Sequence, residues 1–218
     1  MTIVICPGYH PPQLTTDFLR GLGRVSQKTG LPQAIIYPAH LQPPYSSLHL
    51  LSFLRSTLEQ SWQQFEGEKS EAIYHRWRSL VFIGFSAGVV AAIGAAQVWQ
   101  TVGGSASGST DGSVKALIAI DGWGVPLWGN FPIHRMSHDA FTHWSSALLG
   151  GGSSSFYADP AVGHLDLWRS PQQIWGYSVQ SSSDNRVVSR KQANRVERSN
   201  AAALLNHWLC QYDEVNIP

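Results

Sequence analysis

Ser79-Leu80-Val81-Phe82-Ile83-Gly84-Phe85-Ser86-Ala87-Gly88 runs directly into an alanine-rich segment, Val89 to Gln100. Leu80 to Ile83 is a short apolar run of β-formers, the pattern of a strand buried on both faces. Val89 to Gln100 contains no proline and predicts a tightly packed buried helix. Between them, Gly84 to Gly88 spells G-x-S-x-G in a strand–turn–helix setting. A serine on so sharp a turn needs strained backbone angles. Small neighbours at Gly84 and Gly88 let the strand and helix approach each other. The turn would present the Ser86 hydroxyl to solvent. The Ala87 N–H would then lie at a helix N-terminus, able to donate to a developing oxyanion. A tight βα turn with an idle serine fits the same pentapeptide.

Working outward, Thr2 to Cys6 is a β-branched strand followed by Pro7-Gly8-Tyr9-His10. Leu14, Phe18, Leu22 and Val25 recur at helical spacing, so residues 13–29 read as an amphipathic helix ending at Gly30. Gln33 to Tyr37 is a second strand. Leu51, Leu54, Leu58, Trp62 and Phe65 define a long helix over about 46–65, with a polar link over 66–78. Val114 to Asp121 is a further buried strand, leading into Gly122-Trp123. The β-α-β-α-β-α order predicts an α/β fold, a three-layer α/β/α sandwich around a mostly parallel sheet with right-handed crossovers. With 218 residues, one domain spanning 1–218 is the simplest organisation.

The motif in this context resembles the α/β-hydrolase superfamily, and within it small lipases and thioesterases. The resemblance implies a minimal α/β-hydrolase fold and Ser86 as nucleophile. Cys6-Pro7-Gly8-Tyr9 looks like the superfamily's early oxyanion loop, with proline where histidine is common. By that likeness the Tyr9 N–H joins the Ala87 N–H in the oxyanion hole; a plain Pro-Gly turn is the alternative. His10 is expected at the surface or rim. Acyl-thioesterase domains carry a strand ending in Ile-Asp after the elbow, and Ile120-Asp121 fits that pattern. Asp139 competes for the acid role, because it precedes His164 by 25 residues, a spacing common in the superfamily. Asp121 is preferred because it follows a clear strand. Gly163-His164 after the strand Ser154 to Ala158 resembles the catalytic-histidine loop, making His164 the general base in the order serine, acid, histidine.

Residues 122–138, irregular and containing Trp123 and Trp128, are expected to form a short cap offering an apolar wall to a substrate; ordinary loop packing is the alternative. His134, His138, Asp139 and His143 invite a metal reading, but no H-E-x-x-H or similar spacing is present. The expectation is therefore no metal and no organic cofactor. Residues 101–113 read as a flexible loop, and 181–200 as a polar, charged surface segment. Leu204, Leu205, Trp208 and Tyr212 predict a final amphipathic helix.

With a net charge of +1 there is no electrostatic case for a nucleic-acid partner. No apolar run approaches a membrane span, and no signal-peptide pattern opens the sequence. Two cysteines, Cys6 and Cys210, form no disulfide framework, so a cytoplasmic protein is expected. The expected function is hydrolysis of carboxylic esters or thioesters with an apolar acyl group, through an acyl-enzyme on Ser86. Acyl transfer on the same triad, or a binding protein on the same scaffold, are the alternatives. The partner is a small acyl substrate. The sequence does not give the oligomeric state.

Overall fold

The computed structural model describes residues 1–23, 34–64, 79–102, 112–150, 152–180 and 195–213. Eight strands among them form one sheet: β1 (Thr2–Cys6), β2 (Ala34–Ile36), β3 (Ser79–Phe85), β4 (Ser113–Ile120), β5 (Ile133–Ser137), β6 (Ser154–Ala158), β7 (Trp175–Gln180) and β8 (Arg195–Asn200). The order across the sheet is β2-β1-β3-β4-β5-β6-β7-β8. The first six strands are parallel, while β7 and β8 return antiparallel. Six helices accompany them: α1 (Pro12–Gly21), α2 (Ser47–Gln64), α3 (Gly88–Val102), α4 (Ala140–Ala147), α5 (His164–Arg169) and α6 (Ala201–Asp213).

Strand alternation sorts the core onto two faces. Ile3, Ile5, Val81, Ile83, Phe85, Ile118 and Ile120 point to one side, where they meet α1, α5 and α6 through Phe18, Trp168 and Leu205. Val4, Cys6, Leu80, Phe82, Leu117 and Ala119 point to the other, against Leu50 and Leu54 of α2 and the alanine face of α3. The central strands are therefore covered on both faces, which is why they read as continuous apolar runs. The expected three-layer α/β architecture with a mostly parallel sheet is the observed one. No helix among the described residues is long and apolar enough to cross a membrane.

Three expectations need correction. Residues 133–137, read as the end of an irregular cap, form β5, an interior strand between β4 and β6. Residues 175–180 and 195–200 form β7 and β8, and the charged stretch 195–200, a surface segment as expected, is an ordered strand at the edge of the described sheet and not a loop. The first helix is also shorter than expected, closing at Gly21, with Leu22 N–H bonded to Phe18 O and Gly23 in a left-handed conformation (φ 69°). The readings at 24–33, 66–78, 103–111 and 181–194 lie outside the described residues.

Candidate active site

The sheet order reverses at β1, which has β2 on one side and β3 on the other. A crevice opens at such a point, beyond the carboxyl ends of the strands. Ser86 directly follows β3, Asp121 follows β4 and His138 follows β5, with His164 on the connection after β6. All four line one cleft of about 510 Å³, together with Ala87, Val90, Trp123, Val125, Phe141 and Thr142.

Ser86 sits at φ 52°, a left-handed conformation that non-glycine residues rarely adopt. Its N–H donates to Ile120 O at 2.9 Å, and its carbonyl accepts the Val89 N–H at 3.0 Å, so the turn is fixed from both sides. The glycines explain the close packing. A Cβ at Gly84 would lie 2.8 Å from Val89 Cα, and one at Gly88 would overlap the carbonyls of Cys6 and Pro7. A Cβ at Gly8 would lie 2.9 Å from Phe85 O and 3.0 Å from Ser86 Cβ. The Pro7–Tyr9 loop therefore lies directly against the elbow. This brings the backbone at Gly8 beside Ser86, while the ring of the next residue, Tyr9, is exposed.

Asp121 is the centre of the polar network. Its side chain is almost fully buried, and its backbone is also left-handed (φ 51°), a conformation aspartate tolerates better than most residues. His164 Nδ1–H donates to Asp121 Oδ2 at 2.9 Å. His138 Nδ1–H donates to the same oxygen at 3.0 Å, and the His138 backbone N–H donates to Oδ1 at 2.8 Å. With Nδ1 protonated, His164 keeps its Nε2 lone pair free. The His164 ring stacks on Phe85 with centroids 4.7 Å apart, which fixes it next to the residue that precedes Ser86. The loop before it is anchored by Val162 N–H to His138 O at 3.0 Å. His164 is the first residue of α5, following an extended Gly163.

Asp139 is oriented differently. Its Oδ1 accepts the Thr142 N–H at 2.6 Å, which makes it the N-cap of α4. Desolvation pushes its carboxyl up, but the Thr142 hydrogen bonds and the nearby His138 bring it below the ordinary aspartate value overall. Its Oδ2 lies 3.5 Å from His138 Nε2. Of the two candidate acids, Asp121 is therefore the one hydrogen-bonded to His164.

Of the two expected substrate contacts, Trp123 lines the cleft and its indole N–H donates to Ser145 Oγ at 3.1 Å. Trp128 does not line it; its ring is exposed and its carbonyl accepts from Gln97 Nε2. Val90, Val125 and Phe141 supply apolar wall that the sequence reading did not assign. His138 was also missed as a partner of Asp121. Its signal was its position directly after a strand, but that strand was not recognised.

His10 is half-buried, not simply at the rim. Its ring packs near Phe85 and Trp168, at 5.6 and 5.9 Å, and burial lowers its pKa. The quartet that suggested a metal in the sequence does not converge: His138 and Asp139 stay together, and His134 and His143 lie elsewhere. His134 bonds Ser154 and Tyr212, both at 2.6 Å, and His143 packs against Trp144 and Tyr157. No protein-family model matches the chain, and no curated protein matches it.

Proposed function

We propose that the protein is a serine hydrolase of carboxylic esters or thioesters with an apolar acyl group. The observation that carries this reading is the 2.9 Å hydrogen bond from His164 to the buried Asp121, in a cleft that Ser86 also lines from a strained βα turn. In this reading His164 Nε2 takes the Ser86 proton as Oγ attacks the acyl carbonyl carbon. Asp121 holds the ring in the Nδ1–H tautomer and stabilises the imidazolium. The N–H groups of Ala87 and Tyr9 receive the oxyanion. The imidazolium returns its proton to the leaving alcohol or thiol, and the acyl-enzyme remains. Water, deprotonated by His164, then releases the acid and restores Ser86. Val90, Trp123, Val125 and Phe141 suit an apolar acyl chain. The two cysteines are unpaired, with Cys6 buried and Cys210 exposed, which supports a reducing, cytoplasmic setting. Recovery of the protein in a membrane or secreted fraction would overturn that placement.

The test is covalent labelling with a fluorophosphonate probe. Wild-type protein should label, and Ser86→Ala and His164→Ala should not. A folded wild type that never labels would end this reading and favour a binding protein on the same scaffold.

A further inference from the structure

Asp121 receives two imidazoles on one carboxylate oxygen, whereas a serine triad needs one. The second, from His138, is built in as firmly as the first. Asp121, His138 and His164 each offer a donor atom within 4.8 Å of the others, and all three residues line the cleft. From these positions we propose that Asp121, His138 and His164 form a chelating site for a divalent transition metal such as Zn2+, and that its occupation switches the serine site off.

The donor set, two imidazoles and a carboxylate with one side open, is that of a three-ligand zinc site. At metal–ligand distances of about 2.0–2.1 Å, neighbouring donors stand roughly 3 Å apart. The two observed nitrogen–oxygen separations are 2.9 and 3.0 Å, so these edges need little adjustment. The outer contacts also fit. A metal-bound histidine ordinarily gives its other N–H to a carboxylate. His138 Nε2 faces Asp139 Oδ2 at 3.5 Å, and Asp139 is itself held by Thr142 N–H. The His138 backbone N–H occupies Asp121 Oδ1, leaving Oδ2 for a metal.

The switch follows from tautomer chemistry. A metal on Nδ1 of His164 replaces the proton there, so the ring must carry its proton on Nε2. An Nε2–H cannot accept the Ser86 proton. Nothing is oxidised or reduced, and removing the metal restores the Nδ1–H tautomer and the bond to Asp121. The binding claim stands without the hydrolase reading; the switching claim rests on it.

The experiment separates the two. Co2+ is titrated into Ser86→Ala protein that also carries Cys210→Ser, because exposed Cys210 lies one turn from His207 on α6. The expected result is a saturable one-to-one visible absorption band. His138→Ala or His164→Ala should weaken Co2+ binding at least about 100-fold, and Asp139→Asn by roughly 10–100-fold. His49→Ala and His207→Ala should leave it unchanged. Where a replacement to alanine does not fold, the glutamine variant takes its place. Absence of a band, or a band that persists without His138 and His164, overturns the site. In wild type, Zn2+ should slow fluorophosphonate labelling of Ser86, and a chelator should restore it. Labelling that proceeds at full rate under saturating Zn2+ overturns the switch. A Co2+ site in a protein that never labels leaves the metal site standing and removes the hydrolase reading.

Discussion

The two aspartates show how residues of one type divide by environment. Asp121 is buried and holds two imidazoles, while Asp139 caps a helix at the surface. Asp121→Asn should therefore lower the labelling rate of Ser86 by roughly 10³–10⁴-fold, since an amide cannot hold the ring in the same tautomer. Asp139→Ala should instead cost about 1 kcal/mol of stability, the usual loss for an N-cap. Labelling rates and urea midpoints on both variants read the contrast; full labelling of Asp121→Asn beside an unlabelled Asp139→Ala would reverse the assignment. Gly88 belongs to the same scale. Adding a methyl drives it into the Cys6 and Pro7 carbonyls, both backbone atoms that cannot swing aside. Gly88→Ala should destabilise the fold by about 2–3 kcal/mol; an unchanged urea midpoint would contradict the packing described. Ser86, Asp121 and His164 were legible in the sequence because each follows a recognisable strand or a glycine turn. His138 was not, because chemistry shared through space leaves no spacing rule in the chain.

At the scale of elements, strands with an apolar pattern were readable and strands with polar interiors were not. β5 reads Ile-His-Arg-Met-Ser, yet every residue in it is buried. Its polar side chains are satisfied by partners far away in sequence: His134 by Ser154 and Tyr212, and Arg135 by the Gly150 and Val125 carbonyls. β8 escaped notice for the opposite reason. Among the described residues it is an edge strand paired with β7 alone, and it carries charges, as exposed edges commonly do. The buried His134 has a measurable consequence. Burial lowers its pKa from 6.5 to about 4, so the folded protein holds it neutral where the unfolded chain would protonate it. The unfolded state then binds more protons, and stability falls as pH drops from 6.5 toward 4. The loss at pH 5 should be about 2 kcal/mol from His134. His143, lowered to about 4 by burial and by Arg135, acts in the same direction. Urea midpoints at pH 7 and pH 5 should differ more in wild type than in His134→Gln, which can still hydrogen-bond but does not titrate. Equal differences in the two proteins would show that this histidine is not held neutral.

For the whole molecule, the two-sided core and the reversal at β1 set where chemistry can occur. α1, α5 and α6 pack on one face of the sheet and α2 and α3 on the other, and the cleft lies beyond the carboxyl ends of β3, β4 and β5. One wall of that crevice is polar, formed by Ser86, Asp121, His138 and His164. The rest is largely apolar, with Val90, Trp123, Val125 and Phe141. Val90, Trp123 and Phe141 are exposed, so an acyl chain lying on them would remove apolar surface from water on both partners. Under the hydrolase reading, each methylene buried there contributes up to about 0.8 kcal/mol, or roughly fourfold. In a series of p-nitrophenyl esters from acetate to octanoate, kcat/KM should therefore climb with chain length until the cleft is filled. Trp123→Ala removes one side of the wall and the anchor to Ser145 on α4. It should flatten the climb while sparing the acetate, whose short chain does not reach the indole. If the mutant instead loses the same factor on every ester, Trp123 orders the elbow and the acyl chain runs elsewhere. A wild type with no chain-length dependence would show that the apolar wall does not receive the acyl group, whatever Ser86 does.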